Sequence, residues 1–250
     1  MANPGRIQSI SRFSEIVEIL CERDSATSRE LADEMDIAKS TAHTYLATME
    51  DLEYVVHTTE GYSLSLKFLD YGMIERNRIR VVNVARNTVK QLAEDTSEAV
   101  YLVVEEHGQA VYVDHVLGDR GVQTHGRLGT RMPLHGLASG KAILAYLPDK
   151  RIEEILNRHG LPKQTSNTIT ARQTLYEKLE KTRERGYAVN EQEANVGTRA
   201  VGAPILVDEE VIASIAVAGP ANRITRNRLK DEVAGKILAA ANEIEIMMQR

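Results

Sequence analysis

The sequence predicts an α+β protein of two domains joined by a charged helix. Three observations predict it. Apolar residues recur at helical spacing over most of residues 9–52 and again over 82–94. The spacing falls to two at 99–105, 109–116 and 211–218, which marks strands. The charge is unevenly spread: residues 1–78 carry 8 basic and 14 acidic side chains, a net of −6, and the other 23 basic and 22 acidic side chains nearly cancel. With 250 residues, 42% hydrophobic and 27% charged, the chain is long enough for one or two domains that bury a core without staples. A single cysteine, Cys21, excludes an intrachain disulfide and points to a reducing compartment.

In the N-terminal part, Ile10, Phe13, Ile16, Val17 and Leu20 form the stripe of a first amphipathic helix over 9–23. Cys21 sits beside that stripe as a small hydrophobe. The polar break 24–27 ends in Thr27-Ser28-Arg29-Glu30, which has capping-box form and starts a second, short helix carrying Leu31, Ala32 and Met35. Asp36 opens a tight connection, and 39–52 reads as a third helix. Ala42, Tyr45, Leu46, Met49 and Leu52 make its apolar stripe, and Ser40, His43, Thr44, Ala47 and Thr48 take the opposite face. Two short strands follow at 54–58 and 62–66, joined by Thr59-Glu60-Gly61, with Tyr62, Leu64 and Leu66 alternating toward one face. Three helices and a hairpin define a winged helix-turn-helix over residues 6–66.

Residues 67–80 read as a charged, loosely amphipathic linker helix, and 81–250 as the second domain. A helix over 82–94 turns Val82, Ala85, Val89 and Leu92 inward. The second strand, 109–116, carries Val111, Val113 and Val116. After a loop rich in Gly and His, helices are predicted at 139–147, 149–158 and 171–185. A hairpin of 204–207 and 211–218 turns around Asp208-Glu209-Glu210, and 226–248 is a closing helix. Strands mixed with flanking helices make this an α+β domain of sensor size.

The third helix is the most informative segment. A recognition helix packs one face on its own domain and offers short polar side chains on the other, where they meet base edges in the major groove. Ser40, Thr41, His43 and Thr44 occupy its first turns, and Lys39 and the helix N-terminus suit phosphate. No acid lies between Asp36 and Glu50, although acids crowd the segments around them. The excess acid elsewhere predicts weak non-specific binding, so a dimer reading two half-sites has to supply the affinity. The rival is a metabolite sensor or enzyme whose helical domain binds protein, and the acidic N-terminal segment is its best support.

At these residues the sequence resembles the IclR-type transcriptional regulators. Ser28-Arg29-Glu30-Leu31-Ala32 followed by Ile37-Ala38-Lys39-Ser40-Thr41-Ala42-His43 is close to their helix-turn-helix, and Glu50-Asp51-Leu52-Glu53-Tyr54-Val55 to the stretch leading into their wing. The likeness continues through 133–142 and 197–204 and ends at Ala218-Gly219-Pro220, four motifs in order over nearly the whole chain. The resemblance implies a winged helix, a linker helix and a C-terminal GAF-like mixed α/β effector-binding domain. It implies a homodimer or homotetramer on a palindromic double-stranded operator, repressing or activating in response to a small molecule, often an organic acid. Ser28 and Arg29 join the DNA-facing set, with the wing around Gly61 on the DNA backbone. Carried over residue by residue, the effector positions are Met132, Ala138, Ser139, Asn190, Ala200, Ala216 and Ala218. Several of these are alanine where acid-sensing members place polar groups, so effector identity does not transfer. The ligand has fewer polar groups, or neighbours such as Arg131 or Glu193 hold it.

Other chemistries are expected to be absent. Gly136–Lys141 has three residues between its glycines where a phosphate loop needs four, and Ala142 replaces the magnesium-binding hydroxyl. The same small residues suit either a carboxylate at the helix start near Ser139 or close packing of helix on sheet. His107, His115, His125 and His135 form no ligand pair at helical spacing, so no metal and no cofactor are expected. Without a nucleophile elbow, the chain is not expected to be an enzyme. Its longest apolar runs fall far short of the roughly 20 residues a membrane helix needs. No secretory leader is read at the start, so a cytoplasmic location is expected. The 36 acids against 10 lysines are also consistent with a salty cytoplasm.

Overall fold

A computed structural model describes residues 6–122 and 127–249. The chain divides into two compact units, 1–75 and 76–250.

The first unit is built from α1 (Gln8–Arg23), α2 (Ser28–Glu34), α3 (Lys39–Asp51), β1 (Val55–Thr58), β2 (Gly61–Leu64) and most of α4 (Lys67–Arg78). Ile16, Ile19 and Leu20 of α1 meet Leu31, Ala42, Leu46, Met49 and Val55 in one buried cluster. The capping box forms as its sequence predicts: the Thr27 N–H donates to Glu30 at 2.7 Å, and the Glu30 N–H to the Thr27 hydroxyl at 3.3 Å. Asp36 turns the chain in the left-handed region (φ 50°), which sets α3 across α2.

Three predicted stripe residues lie outside this core. Ile10 is 64% exposed, Leu52 53% and Leu66 80%. Ile10 precedes the part of α1 that the other helices cover, Leu52 follows the end of α3, and β2 stops at Leu64. Cys21 is also exposed, on the solvent side of α1.

The second unit begins with the end of α4 and α5 (Arg80–Thr96). Ile79 between them has an extended backbone, so the linker read at 67–80 ends before that residue. A six-stranded antiparallel sheet runs in the order β5-β4-β3-β8-β7-β6. Its strands are β3 (Ala99–Glu106), β4 (Gln109–Leu117), β5 (Arg131–Pro133), β6 (Ala188–Glu191), β7 (Thr198–Val207) and β8 (Glu210–Pro220). A single 3₁₀ turn, Leu134–Gly136, leads into α6 (Ala138–Tyr146), followed by α7 (Asp149–His159) and α8 (Arg172–Arg185). The chain closes with α9 (Arg226–Arg228), a π turn (Leu229–Val233) and α10 (Ala234–Met248).

The two-residue period of the strands sorts their side chains into two cores. Val100, Leu102, Val201, Ile215 and Val217 face α5 and α10. Ala99, Tyr101, Tyr112, Ala200 and Ala218 face α6, α7 and α8. Glu98, fully buried where β3 begins, is held by Arg223 at 2.7 Å and Arg228 at 3.0 Å, which ties the closing helices to the sheet.

Candidate nucleic-acid interface and ligand cavity

On α3 the buried residues are Ala42, Leu46 and Met49, which fixes the rotation of the helix. Ser40, His43, Thr44 and Thr48 then face solvent, with Thr41 half-buried and Lys39 exposed at the first turn. The Thr44 hydroxyl donates to the Ser40 carbonyl at 2.9 Å, which leaves its oxygen free to accept from a base amine. No side chain caps α3, so its first N–H groups remain open to phosphate. Arg29 is exposed at the start of α2 and Ser28 is half-buried beside it. The acids Glu50, Asp51 and Glu53 stand at the far end of α3, past the polar face.

The wing corrects one expectation. Gly61 is buried, not presented to a partner. Its backbone (φ 130°) lies so close to Ala26 that an added Cβ would be 2.6 Å from the Ala26 oxygen. Ala26 and Tyr62 exchange backbone hydrogen bonds at 3.0 and 2.9 Å, which stitches the hairpin to the start of α2. The exposed tip of the wing is Thr58-Thr59-Glu60. Exposed His57 stacks on Tyr62 with centroids 4.5 Å apart, a wing side chain that sequence reasoning passed over although it lies in a predicted strand.

In the second unit, α6 sits against the sheet because two glycines let it. A Cβ on Gly202 would fall 2.7 Å from the backbone of Ala138 and Ser139, and one on Gly140 would collide with the Leu134 carbonyl. Between helix and sheet lies a small cavity of about 10 Å³, room for roughly one water. Ala200, Ala216 and Ala218 form its floor, in register across β7 and β8. Leu137, Ala138 and Ser139 cover it, and Tyr101 and Tyr112 form a wall with centroids 5.4 Å apart in an edge-to-face pair.

Five of the seven effector positions read from the sequence therefore meet at this cavity. The other two do not line it. Met132 is half-buried on β5. Asn190 is buried and engaged at both ends: its amide donates to the Gly136 carbonyl at 2.6 Å, and its oxygen accepts from the Glu193 N–H at 2.9 Å. Tyr101 and Tyr112 were missed, and the signal was their place on alternating strands, where one face has to meet the other helix layer.

The neighbours considered as ligand holders are already paired. Arg131 bonds Glu106 at the surface. Glu193 forms a buried ion pair with Lys141, whose ammonium burial pushes below its ordinary pKa while the Glu193 charge opposes the shift. Exposed His107 offers its carbonyl to His159 at 2.7 Å, His115 stacks on Tyr101, and His125 lies outside the described residues. Among the described residues no three His, Cys, Asp or Glu side chains group as metal ligands, and no helix is long and apolar enough to cross a membrane.

A helix that anchors one face in a small helical core and offers hydroxyl and imidazole groups on the other, with a wing after it, is the arrangement by which winged-helix proteins enter the major groove. Joined in one chain to an α/β unit with an internal cavity, it defines the class: a DNA-binding transcriptional regulator. Residues 9–58 match the IclR helix-turn-helix domain and residues 75–246 the bacterial transcriptional regulator IclR C-terminal domain. The chain belongs to the IclR family. It is 32% identical to the probable HTH-type transcriptional regulator ArcR of Halobacterium salinarum, over 98% of this chain and 95% of that one. The crystal structure of Thermotoga maritima IclR superposes with a TM-score of 0.80 at 28% identity, covering 96% of this chain and 98% of that one. An IclR homologue from Microbacterium hydrocarbonoxydans, solved in complex with 4-hydroxybenzoate, shares the fold with a TM-score of 0.82 at 20% identity, covering 96% of this chain and 99% of that one. The relatives are regulators rather than enzymes, and they disfavour a protein-binding role for the helical unit.

Proposed function

We propose that the protein reads a palindromic operator as a homodimer or homotetramer in the cytoplasm, and that a small-molecule effector in the α6 cavity sets its affinity for a catabolic operon. Lys39, Ser40, Thr41, His43 and Thr44 carry recognition, Ser28 and Arg29 meet the DNA backbone, and the tip 58–60 replaces Gly61 as the wing contact. The observation that carries this reading is the acid-free polar face of α3, held outward by the burial of Ala42, Leu46 and Met49.

Two further observations support it. Leu66, Leu69 and Met73 are exposed at helical spacing along and before α4, and Ile7 and Ile10 are exposed at the start of α1, which suits a second copy. Two copies place two recognition helices about 34 Å apart, one turn of B-form DNA. The cavity brings five predicted effector positions together in the second unit. Helix α4 joins the two units, and the effector shifts DNA affinity only by its differential affinity for two arrangements of the paired heads.

The test is a gel shift on promoter DNA at moderate salt, with the wild type and the Ser40→Ala/Thr44→Ala variant. The wild type shifts its operator, and the variant loses about tenfold or more of that affinity. A wild type that leaves promoter DNA unshifted, or a variant that binds equally well, removes the reading.

A further inference from the structure

At the sheet edge opposite β5, a second cleft opens where β6 ends. It holds about 540 Å³, within the roughly 300–1,000 Å³ of ligand pockets. One wall is the turn 191–193, and the other is the stretch 167–171 with the first turns of α8. Hydrogen bonds tie the two walls together. The Thr168 hydroxyl donates to the Glu193 carbonyl at 2.7 Å, and the Thr165 hydroxyl to the Gln192 carbonyl at 2.8 Å. The cleft shares no lining residue with the cavity under α6, and its character is the opposite: of its twelve lining residues, only Ile169 and Ala171 are apolar. An apolar or aromatic ligand has little to rest on here.

The charges of the cleft do not cancel. Lys178, Arg199 and Arg226 line it, against Glu191 and Glu193. The buried Lys141 engages Glu193, so Glu191 alone faces the three cations. It holds Arg199 at 3.0 Å and Arg226 at 3.3 Å. Lys178 forms no ion pair among the described residues. It stands near enough to Lys141 for its charge to help hold that ammonium below its ordinary pKa. Two positive charges are thus left unmatched. At the same wall α8 begins with no capping side chain and no acid in its first turn, which adds open N–H groups and the positive end of the helix.

We infer that this cleft is a second ligand site, and that it takes the phosphate group of a phosphorylated polar metabolite between Lys178, Arg226 and the start of α8. A phosphate monoester carries about −1.5 to −2 charges at pH 7 and three acceptor oxygens, which matches the unmatched charge and the number of donors. A monocarboxylate would leave one cation without a counter-charge. The hydroxyls of Thr170 and Thr174 and the amide of Gln192 suit the hydroxyl groups of such a metabolite's body.

The test is isothermal titration of the full-length protein with glucose 6-phosphate, glucose, inorganic phosphate and succinate, in the wild type and in Lys178→Gln, Lys178→Arg and Arg226→Gln. Lys178 and Arg226 are exposed, so replacing either leaves the core intact. Glucose 6-phosphate is expected to bind saturably, inorganic phosphate to bind more weakly and compete with it, and glucose and succinate not to bind. Each Gln variant is expected to weaken both phosphates about tenfold, and Lys178→Arg to keep most of the affinity because it keeps the charge. Glucose bound as tightly as its phosphate, or succinate bound as tightly, overturns the ligand class. Inorganic phosphate bound as tightly as glucose 6-phosphate, or more so, overturns the metabolite in favour of the free ion. Binding that neither Gln variant weakens, or no binding of either phosphate at millimolar concentration, overturns the site.

Discussion

His135 sits in the 3₁₀ turn before α6, only 3% exposed, and its Nε2 donates to the Pro162 carbonyl at 3.2 Å. Burial holds its imidazole below its ordinary pKa of 6.5. The Pro162 bond opposes that shift, and the Lys141 charge adds to it. The folded state therefore binds this proton less readily than the unfolded chain, so stability rises with pH across the interval between the depressed value and 6.5. The contribution is fully present above 6.5 and is lost as pH falls below it. Thermal denaturation of the wild type between about pH 8 and about pH 5 is expected to show a falling midpoint in the acid limb. In His135→Asn, which carries no titrating ring, that limb is expected to flatten, whatever the variant's midpoint at neutral pH. An equally steep limb in the variant would assign the loss to other groups.

At the scale of elements, the seat of α6 on β7 decides both packing and cavity. Gly202→Ala places a methyl 2.7 Å from the backbone of Ala138 and Ser139, against atoms that cannot rotate away. Overpacking of this kind costs about 1–3 kcal/mol, so the melting midpoint should fall by several degrees. The cavity beneath α6 should change shape with it, because Ala138 and Ser139 also cover that cavity. A variant as stable as the wild type would show that α6 is free to ride outward. This contact is also where the sequence stopped being legible. The run 198–203 holds small residues and few β-branched ones, so no strand is read there, yet it extends β7 by six residues beyond the hairpin read at 204–207. Its small residues are there because a helix lies on them. β5 and β6 are edge strands of three and four residues, too short for a period to emerge. The helices of the first unit were legible because each has to bury a stripe in a small core, and Thr27 and Glu30 announce where α2 begins. Ile10 and Leu52 failed because an apolar residue at helical spacing is buried only where another element reaches it.

For the whole molecule, a net charge of −5 and an acidic N-terminal segment make long-range attraction to DNA weak, so affinity has to come from a few close contacts. The same argument fixes the salt dependence. Among the described residues, α2 and α3 together carry two cations, Arg29 and Lys39, both exposed. In the proposed dimer two such protomers would neutralise about four phosphates, and each contributes about −0.9 to the slope of log K against log salt, which gives about −4 on an operator. That is a shallow slope for a sequence-specific regulator. Lys39→Gln is expected to weaken operator binding at low salt and to reduce the slope by about 2 per dimer, without changing which sequence is preferred, because a phosphate contact carries no base information. Ser40→Ala should do the reverse, relaxing base preference at one position of each half-site while leaving the slope unchanged. Fluorescence anisotropy on the operator and on one-base variants, across a range of potassium chloride concentrations, separates the two effects. A wild-type slope near −10 would mean that more cations meet the DNA than α2 and α3 provide. The division of labour between Lys39 and the hydroxyl face of α3 would then have to be redrawn.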